Sequence, residues 1–423
     1  MKVTIERFIA AMLIIASAII GVIFNSEFAC RMSVLIIMLI CVVMGLREKK
    51  FVNPYILFSV TPFSLLIYSN ISDSYMQDLS VYTWILAIIN MALFLVVFTF
   101  TSDYRNVHKC IGAGNGRILR KNTYILLLLS FLPTFYTIAF GGMMPLASIF
   151  ALFSSPAIVC ALKSKDKKLI VFVVACFLGT WIGYVSKSSV LTFALAFLIA
   201  YEKYYLTTKK AKKRIITLTV IAVFVMIISF SFANQDRGYS TAEETVNYYR
   251  KYGNVIWDYN HSLLMPYFYL TTPWSNLQYV VNTQSSSSYG LWLLKPLLSY
   301  LQIDSHFAEY YTMKAYSNFN TFTFIACCFK DFGYWGSIIS TAFLAFFSKK
   351  VYSRYLISRS PLDVACYVLL AQAVLEMFFS NEFYTQSFPF TIVIIMGMYK
   401  MLFCKGNEVE IQHDSGEYEI DGM

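Results

Sequence analysis

The charged and aromatic side chains that could do chemistry gather in one part of the chain, residues 234–332. Arg237 lies near its start, and the pair Arg250 and Lys251 follows with tyrosines on both sides. Guanidinium and ammonium groups bind phosphate oxygens, and aromatic faces beside them suit sugar rings and phosphates alike. We interpret these three cations as candidates for anion binding. The alternatives are an interfacial arginine paired with Asp236, and a belt of tyrosines that faces the membrane.

The same segment supplies three candidate general bases, His261, His306 and Asp258. An imidazole titrates near neutral pH, so either histidine could accept a proton from a substrate hydroxyl. The alternative for each histidine is a structural or exposed role. Three further carboxylates compete for the function of base: Asp304, Glu309 and Asp331.

The end of the segment, SNFNTFTFIACCFKDFGYWGSII, combines an apolar middle with polar residues and two glycines. We expect its polar part to lie at the outer membrane surface, re-entrant, with the apolar middle dipping inward. A broken backbone at that depth must line a cavity or be buried in protein. We therefore predict that Asn320, Lys330 and Asp331 close one wall of a substrate cavity, with a structural role for Lys330 and Asp331 as the alternative.

Two charged residues lie away from this segment and interrupt apolar runs. Lys187, in GYVSKSSVL, divides the apolar stretch 169–205 and places a cation at the mouth of two helices. Glu376, in QAVLEMFFSNE, is either a proton or ion site or a residue near the outer end of its helix. A charge exposed to lipid is costly, so Lys187 is a functional candidate, and snorkelling to the headgroups is its alternative.

The composition predicts the elements that position these residues. The chain has 423 residues, of which 58% are hydrophobic and 14% are charged, whereas soluble domains carry about 25% charged residues. Apolar runs long enough to cross a bilayer recur almost throughout, so we predict an all-α polytopic membrane protein. The sequence has no P-loop, no D-x-D pair and no Cys or His cluster with metal spacing, so we expect neither a metal nor a cofactor.

We predict twelve transmembrane helices and one large external loop domain, in four regions. Residues 1–233 form nine helices, 234–332 form the aromatic-rich loop, 333–402 form three helices, and 403–423 form an acidic cytoplasmic tail. The predicted spans are about 8–24, 30–46, 52–69, 81–100, 123–141, 144–162, 169–185, 188–205, 215–233, 333–348, 361–379 and 385–402.

The distribution of positive charge predicts the orientation. With both termini in the cytoplasm, 26 of the 34 Lys and Arg residues fall in cytoplasmic segments, as expected for the inner side of a membrane. Within the external loop, the apolar pieces 263–281 and 288–303 contain prolines or a lysine. We expect both to be helices that lie at the membrane surface or fold back toward it, with Trp and Tyr at headgroup level.

This layout resembles the O-antigen and capsule repeat-unit polymerases of the Wzy type, in the superfamily that also contains the O-antigen ligases. The local motifs are SKSSVL from Ser186, an arginine soon after the span that enters the large loop (Arg237), and Asn320-Thr321 followed by Asp331-x-Gly-x-x-Gly. The family tends to have arginine where this chain has Lys187. Lysine keeps the positive charge but lacks the planar guanidinium that donates two parallel hydrogen bonds to a phosphate.

The resemblance implies a GT-C-like fold and a membrane glycosyltransferase that needs no metal or nucleotide. Such enzymes join undecaprenyl-pyrophosphate-linked oligosaccharides, as donor and acceptor, at the outer face of the bacterial inner membrane. Expected partners include a chain-length regulator and a flippase, and nucleic acid is not expected. In this reading Arg237, Lys187 and Arg250 would stabilise the leaving pyrophosphate, and His261, Asp258 or His306 would be the base.

Three other functions stay open on the sequence. Twelve spans with both termini inside are also typical of transporters, including flippases that move lipid-linked sugars. An O-antigen ligase would perform the same chemistry on a different acceptor. A non-enzymatic protein of envelope assembly is the third possibility.

Overall fold

A computed structural model describes the chain in part, and the fold is reported for those residues. They are 2–24, 26–48, 50–70, 78–102, 116–140, 150, 153–184, 187–205, 217, 261–283, 288–292, 294, 298, 303, 306, 321–358 and 360–380. Every regular element in these ranges is a helix, so the prediction of an all-α protein is confirmed at that level.

The helices are numbered here in chain order. They are α1 (Lys2–Phe24), α2 (Glu27–Arg47), α3 (Pro54–Phe58), α4 (Val60–Asn70), α5 (Val81–Phe100), α6 (Gly116–Phe140), α7 (Ser154–Ser164), α8 (Lys167–Tyr184), α9 (Lys187–Tyr205), α10 (His261–Thr283), α11 (Phe324–Ile357) and α12 (Pro361–Leu375). A 3-10 turn, Glu376–Phe378, follows α12. Five N-termini are fixed by a side chain that accepts a main-chain N–H of the first turn: Ser26, Asn53, Ser80, Thr323 and Ser360.

Five helical segments of the described chain are long and apolar enough to cross a membrane, which indicates a membrane-embedded protein. They are Arg7–Phe24, Glu27–Arg47, Val81–Phe100, Gly116–Phe140 and Pro361–Phe378. The bounds predicted for 81–100 coincide with α5, and those for 188–205 differ from α9 by one residue. The spans predicted at 215–233 and 385–402 fall outside the described residues apart from position 217, so the total of twelve stays a prediction.

Helix α11 differs most from the sequence-based expectation. It begins at Phe324 rather than at 333, because Thr323 caps its first turn through the N–H of Ala326. The stretch FIACCFKDF, most of which was predicted to be re-entrant and outside this span, is therefore part of the helix. The helix is interrupted at Gly333, whose φ of 65° and ψ of −153° are non-helical, and it then continues to Ile357. The predicted start of this span marks the break in the helix and not its beginning.

The helices alternate in direction, so their ends form two layers. We call one layer the basic end, where α2, α5, α9 and α11 end and α12 begins. The contacts that join helices there are Arg7 with Glu48, Glu202 with the N–H groups of Phe51 and Val52, Lys203 with the carbonyls of Tyr355 and Leu356, and Lys350 with Ser102. We call the opposite layer the loop end, where α4 and α12 end and α5, α9 and α11 begin.

Helix α10 comes from the predicted external loop, yet it packs among α4, α5 and α11. Its residue Trp274 is fully buried and donates its indole N–H to Ser64 Oγ at 2.9 Å. At the loop end, Gln278 Oε1 accepts the N–H of Ser80 at 2.7 Å, and the ring of Tyr269 contacts that of Phe379. The Trp274 ring is thus enclosed by protein, and the expectation that the Trp and Tyr residues of this segment lie at headgroup level stays a prediction.

Three buried tyrosines of α11 and α12 stack at the basic end. The rings of Tyr355 and Tyr367 have centroids 4.3 Å apart, and Tyr352 lies against both. The Tyr367 hydroxyl donates to the carbonyl of Val52 at 2.9 Å. Among the described residues, the hydroxyls of Tyr352 and Tyr355 have no hydrogen-bond partner. Ring packing and one hydroxyl, not three, therefore fix α11 and α12 to the α2–α3 connection.

Because the Tyr367 hydroxyl donates a hydrogen bond and the Tyr352 hydroxyl has no described partner, a Tyr→Phe substitution should affect stability differently at the two positions. Tyr367→Phe removes the donor to a buried carbonyl and should lower stability by about 1–3 kcal/mol. Tyr352→Phe removes a buried hydroxyl that has no described partner, so it should be neutral or stabilising. Thermal unfolding midpoints of the purified variants in detergent test this pair, and equal loss in both would contradict the assigned hydrogen bond.

Candidate functional site

The structure describes part of the predicted site. Asp258, Arg237, Arg250, Lys251 and Asn320 lie outside the described residues, so their predicted functions stay predictions. Lys187 and His261 are the first residues of α9 and α10, and the description covers their main chain but not their side chains. His306 is exposed and its N–H donates to the carbonyl of Ile303 at 3.2 Å, and Lys330 and Asp331 lie in the first part of α11.

Asp331 is the best-defined of these residues. Its side chain is fully buried, and Oδ1 accepts hydrogen bonds from Ser288 Oγ at 2.6 Å and from the N–H of Trp292 at 3.0 Å. The N–H of Ser288 donates to the carbonyl of Lys330 at 2.9 Å. Asp331 thus anchors the turn 288–292 to α11. Full burial argues against direct contact with a substrate, and it favours the structural role that the sequence left open.

The two glycines of the Asp-x-Gly-x-x-Gly motif, Gly333 and Gly336, also shape the region where the turn 288–292 contacts α11. Gly333 has the positive φ that breaks α11, and a Cβ there would meet open space. At Gly336 a Cβ would lie 2.0 Å from Cβ of Phe332, and at Gly290 it would lie 2.7 Å from Cζ of the same ring. Gly290 also has a positive φ of 83°. The Phe332 side chain therefore fits only because positions 290 and 336 are glycine. Its contact with both glycines joins the turn 288–292 to α11.

A row of buried polar side chains on α10 faces the segment that precedes α11. Asn276 donates from Nδ2 to the carbonyl of Thr321 at 2.7 Å, and the hydroxyls of Thr272 and Thr321 are 3.3 Å apart. Asn276 and Thr272 are buried. Thr321 follows the predicted site residue Asn320 directly, so these bonds fix the main chain beside that position.

A second polar contact joins α5 to α11 just beyond the break. Asn90 is buried, with Oδ1 accepting from Thr341 Oγ1 at 2.6 Å and Nδ2 lying 3.3 Å from Ser337 Oγ. Asn90 Nδ2 also donates to the carbonyl of Leu86 at 2.8 Å. The second half of α11 is thereby held against α5 while its first half carries the turn 288–292.

Glu376 ends α12 at the loop end and is almost fully buried. Gln372, one turn earlier, approaches Glu376 Oε2 with Nε2 at 3.4 Å, and the hydroxyl of Thr192 on α9 donates to Gln372 Oε1. The prediction that Glu376 lies near the end of its helix is confirmed. The i, i+4 spacing of Gln372 and Glu376 is visible in the sequence, but nothing in the sequence links either residue to Thr192.

No group of three or more His, Cys, Asp or Glu side chains could hold a metal ion in the part of the chain that the structure describes. The described polar groups at the loop end include hydroxyls, amides and the buried carboxylates of Asp331 and Glu376. Such groups can bind sugar hydroxyls and transfer protons.

No protein-family model, no curated protein and no solved structure matches this chain.

The anchoring of the turn by Asp331 can be measured directly. Asp331→Ala removes the acceptor for Ser288 and Trp292, so a spin label at the exposed position 289 should become more mobile. Lys330→Ala is the matched control, because the bonds to Ser288 use its main-chain carbonyl. The measurement is electron paramagnetic resonance in a background without native cysteines. Unchanged label mobility in Asp331→Ala would contradict the anchor.

The positive φ at Gly333 predicts that a larger residue there lowers stability, even though its side chain would have room. Gly333→Ala places a side chain in a backbone region that is essentially restricted to glycine, so it should destabilise the protein by about 1–3 kcal/mol. Gly116→Ala, also in open space but without a positive φ, should change stability by less than about 0.5 kcal/mol. Unfolding midpoints of both variants test the difference, and equal values would show that the helix does not need the break.

Proposed function

We propose that this protein polymerises undecaprenyl-pyrophosphate-linked oligosaccharide repeat units into O-antigen or a similar envelope polysaccharide. The observation that carries the proposal is the construction of the loop end. Parts of the long loop, α10 and the turn 288–292, are built into the helical bundle through Trp274, Asn276 and Asp331. A substrate with a lipid tail needs this kind of place, since its reacting sugar must stay beside the bilayer.

The orientation follows from the charges of the two ends. Described cations at the basic end include Arg7, Lys203, Lys350 and Arg354, and positive residues favour the cytoplasmic side. The loop end then faces the periplasm of a bacterial inner membrane, with both termini in the cytoplasm. Repeat units that have been flipped across the membrane are available on that side.

The chemistry needs an anion site and a base. When the anomeric carbon of the donor is attacked, the pyrophosphate leaves with growing negative charge, which Arg237, Lys187, Arg250 and Lys251 are proposed to stabilise. Lys330, on the half of α11 that carries the turn, is proposed to extend this positive surface. The acceptor hydroxyl would lose its proton to His261, Asp258 or His306, and no step requires a metal or cofactor.

A transporter or flippase for a lipid-linked sugar is the second candidate, and specific observations favour it. Glu376 and Asn90 are buried polar groups inside the bundle, and helix α11 is interrupted at Gly333. Interrupted helices that expose main-chain groups to a substrate are typical of transporters. An O-antigen ligase would share the proposed site and differ in its acceptor.

Deletion of the protein in its host separates these functions. We expect the deletion strain to carry envelope polysaccharide of a single repeat unit and to regain long chains on complementation, with gel electrophoresis of extracted polysaccharide as the measurement. Normal chain lengths would reject the polymerase. Long polysaccharide that is not attached to lipid A would indicate a ligase, and lipid-linked units retained on the cytoplasmic face would indicate a flippase.

A further inference from the structure

We propose that exposed aromatic side chains at the loop end form one surface that binds the headgroup layer of the membrane and holds the turn 288–292 in it. The surface is called here the aromatic patch, and it consists of Tyr82, Tyr289, Phe332, Tyr334 and Trp335. This inference goes beyond the polymerase, because its partner is a lipid surface and it does not depend on the reaction.

The patch joins three parts of the chain. The Tyr334 hydroxyl donates to the carbonyl of Tyr82 at 3.2 Å, which connects α11 to the first turn of α5. A Cβ at Gly290 would lie 2.7 Å from Cζ of Phe332, so the main chain of the turn 288–292 lies against the Phe332 ring. The aromatic patch therefore links α5, α11 and the turn.

An exposed apolar stripe continues from the patch along one face of α11. Trp335 is 74% exposed. Three further exposed side chains follow at the spacing of one helical face, namely Ile339, Phe343 and Phe346. At the far end of the stripe, Lys350 Nζ lies 5.5 Å from the centroid of the Phe346 ring. The stripe thus has an aromatic residue with a polar group at one end and a cation at the other.

The length of this surface matches a bilayer. Along α11 the rise from Trp335 to Lys350 is about 22 Å, and along α5, which packs beside it, the rise from Tyr82 to Phe100 is about 27 Å. The hydrocarbon core of a bilayer is about 30 Å thick, and the long side chain of a lysine reaches from its edge to the headgroups. With Lys350 at one edge of the hydrocarbon, the aromatic patch lies at the other.

The residue types favour lipid over a protein partner. Tyr and Trp combine an apolar ring with a polar group, and they are enriched where hydrocarbon meets headgroups. From Trp335 the stripe passes through isoleucine and phenylalanine to Lys350, which follows the change of polarity across a bilayer. Contact with a second copy or with another protein requires no such order. The order of side chains therefore indicates that lipid covers this face.

The turn presents its aromatic ring at a cost to the backbone. Tyr289 is 77% exposed and has a φ of 50°, in the left-handed region that is unfavourable for a side chain of this size. The turn is held in place from below by Asp331, through Ser288 and the N–H of Trp292. Burial of the Tyr289 ring among headgroups would offset part of the cost of its backbone conformation.

The depth of the patch has a consequence for any lipid-linked substrate. The diphosphate of a lipid-linked sugar lies in the headgroup layer, because its tail stays in the hydrocarbon. A turn that is bound to the same layer remains level with this group. The aromatic patch would in this way fix the height of the loop end in the membrane.

The depth of the turn can be measured in a bilayer. An NBD fluorophore is attached at Tyr289→Cys or Phe343→Cys in the full-length protein without native cysteines, in phosphatidylcholine liposomes. The lipids carry a nitroxide quencher either on the headgroup or near the end of an acyl chain. The headgroup nitroxide should quench the fluorophore at 289 at least about twofold more than the acyl nitroxide, with the reverse order at 343. Absence of quenching at 289, or stronger quenching there by the acyl nitroxide, would overturn the inference.

Two substitutions test whether the patch holds the turn. Trp335→Ala should reduce headgroup quenching at 289 by about half or more. Ile339→Ala is the matched control, because it removes an exposed side chain one helical turn further into the hydrocarbon, and it should leave the quenching unchanged. If Trp335→Ala fails to fold, Tyr82→Ala removes another ring of the patch and keeps the carbonyl that Tyr334 contacts. Unchanged quenching in the folded variant would overturn the inference, and since no sugar substrate is present, the polymerase would stand.

Discussion

The loop end depends on a single carboxylate that is removed from solvent and satisfied by protein donors. Asp331 is fully buried, and its Oδ1 takes a hydroxyl from Ser288 and a main-chain N–H from Trp292. A buried charge without such donors would cost several kcal/mol. The turn 288–292 must therefore sit against the first half of α11 whenever the helix adopts this form. One side chain in this way decides where a distant part of the long loop is held.

That anchor explains why glycine is needed at three nearby positions. Phe332 follows Asp331 and has to fit between Gly290 and Gly336, where larger residues would overlap its ring. Gly333 breaks the helix, and the second half of α11 then packs on α5 through Asn90. The motif Asp-x-Gly-x-x-Gly therefore determines the local structure of the loop end. Its described contacts are with the turn 288–292 and within α11.

Sequence reasoning succeeded where a helix is defined by its own residues. The span predicted at 81–100 has the bounds of α5, because a continuous apolar run sets its length. It failed for α11, since Lys330, Asp331 and Gly333 lower the hydropathy of a segment that Thr323 nevertheless starts as a helix. For 263–281 it predicted a helix, which α10 confirms, but the burial of Trp274 among neighbouring helices could not be read from the sequence.

The sequence indicates which residues could belong to the candidate site, but it does not indicate which residues contact each other. Polar residues inside apolar runs, such as Lys187 and Glu376, are visible in a sequence because burial of charge is unusual. Their neighbours are not, since Thr192 and Gln372 are 180 positions apart and either would pass as an ordinary helical residue. Likewise no spacing rule joins Ser288 to a carboxylate 43 positions later. Such pairs are decided by tertiary packing, which local patterns do not encode.

The two ends of the bundle use different interactions for the same task of joining helices. The basic end uses charged groups, among them Arg7 with Glu48 and Lys203 with two carbonyls. The loop end joins α10 to its neighbours mainly with neutral amides, hydroxyls and an indole. Neutral hydrogen bonds fix geometry without adding net charge to a region of low dielectric. The electric field met by a pyrophosphate there would then be set by the charged side chains of the loop end, including the carboxylates of Asp331 and Glu376, and not by the bonds that hold α10.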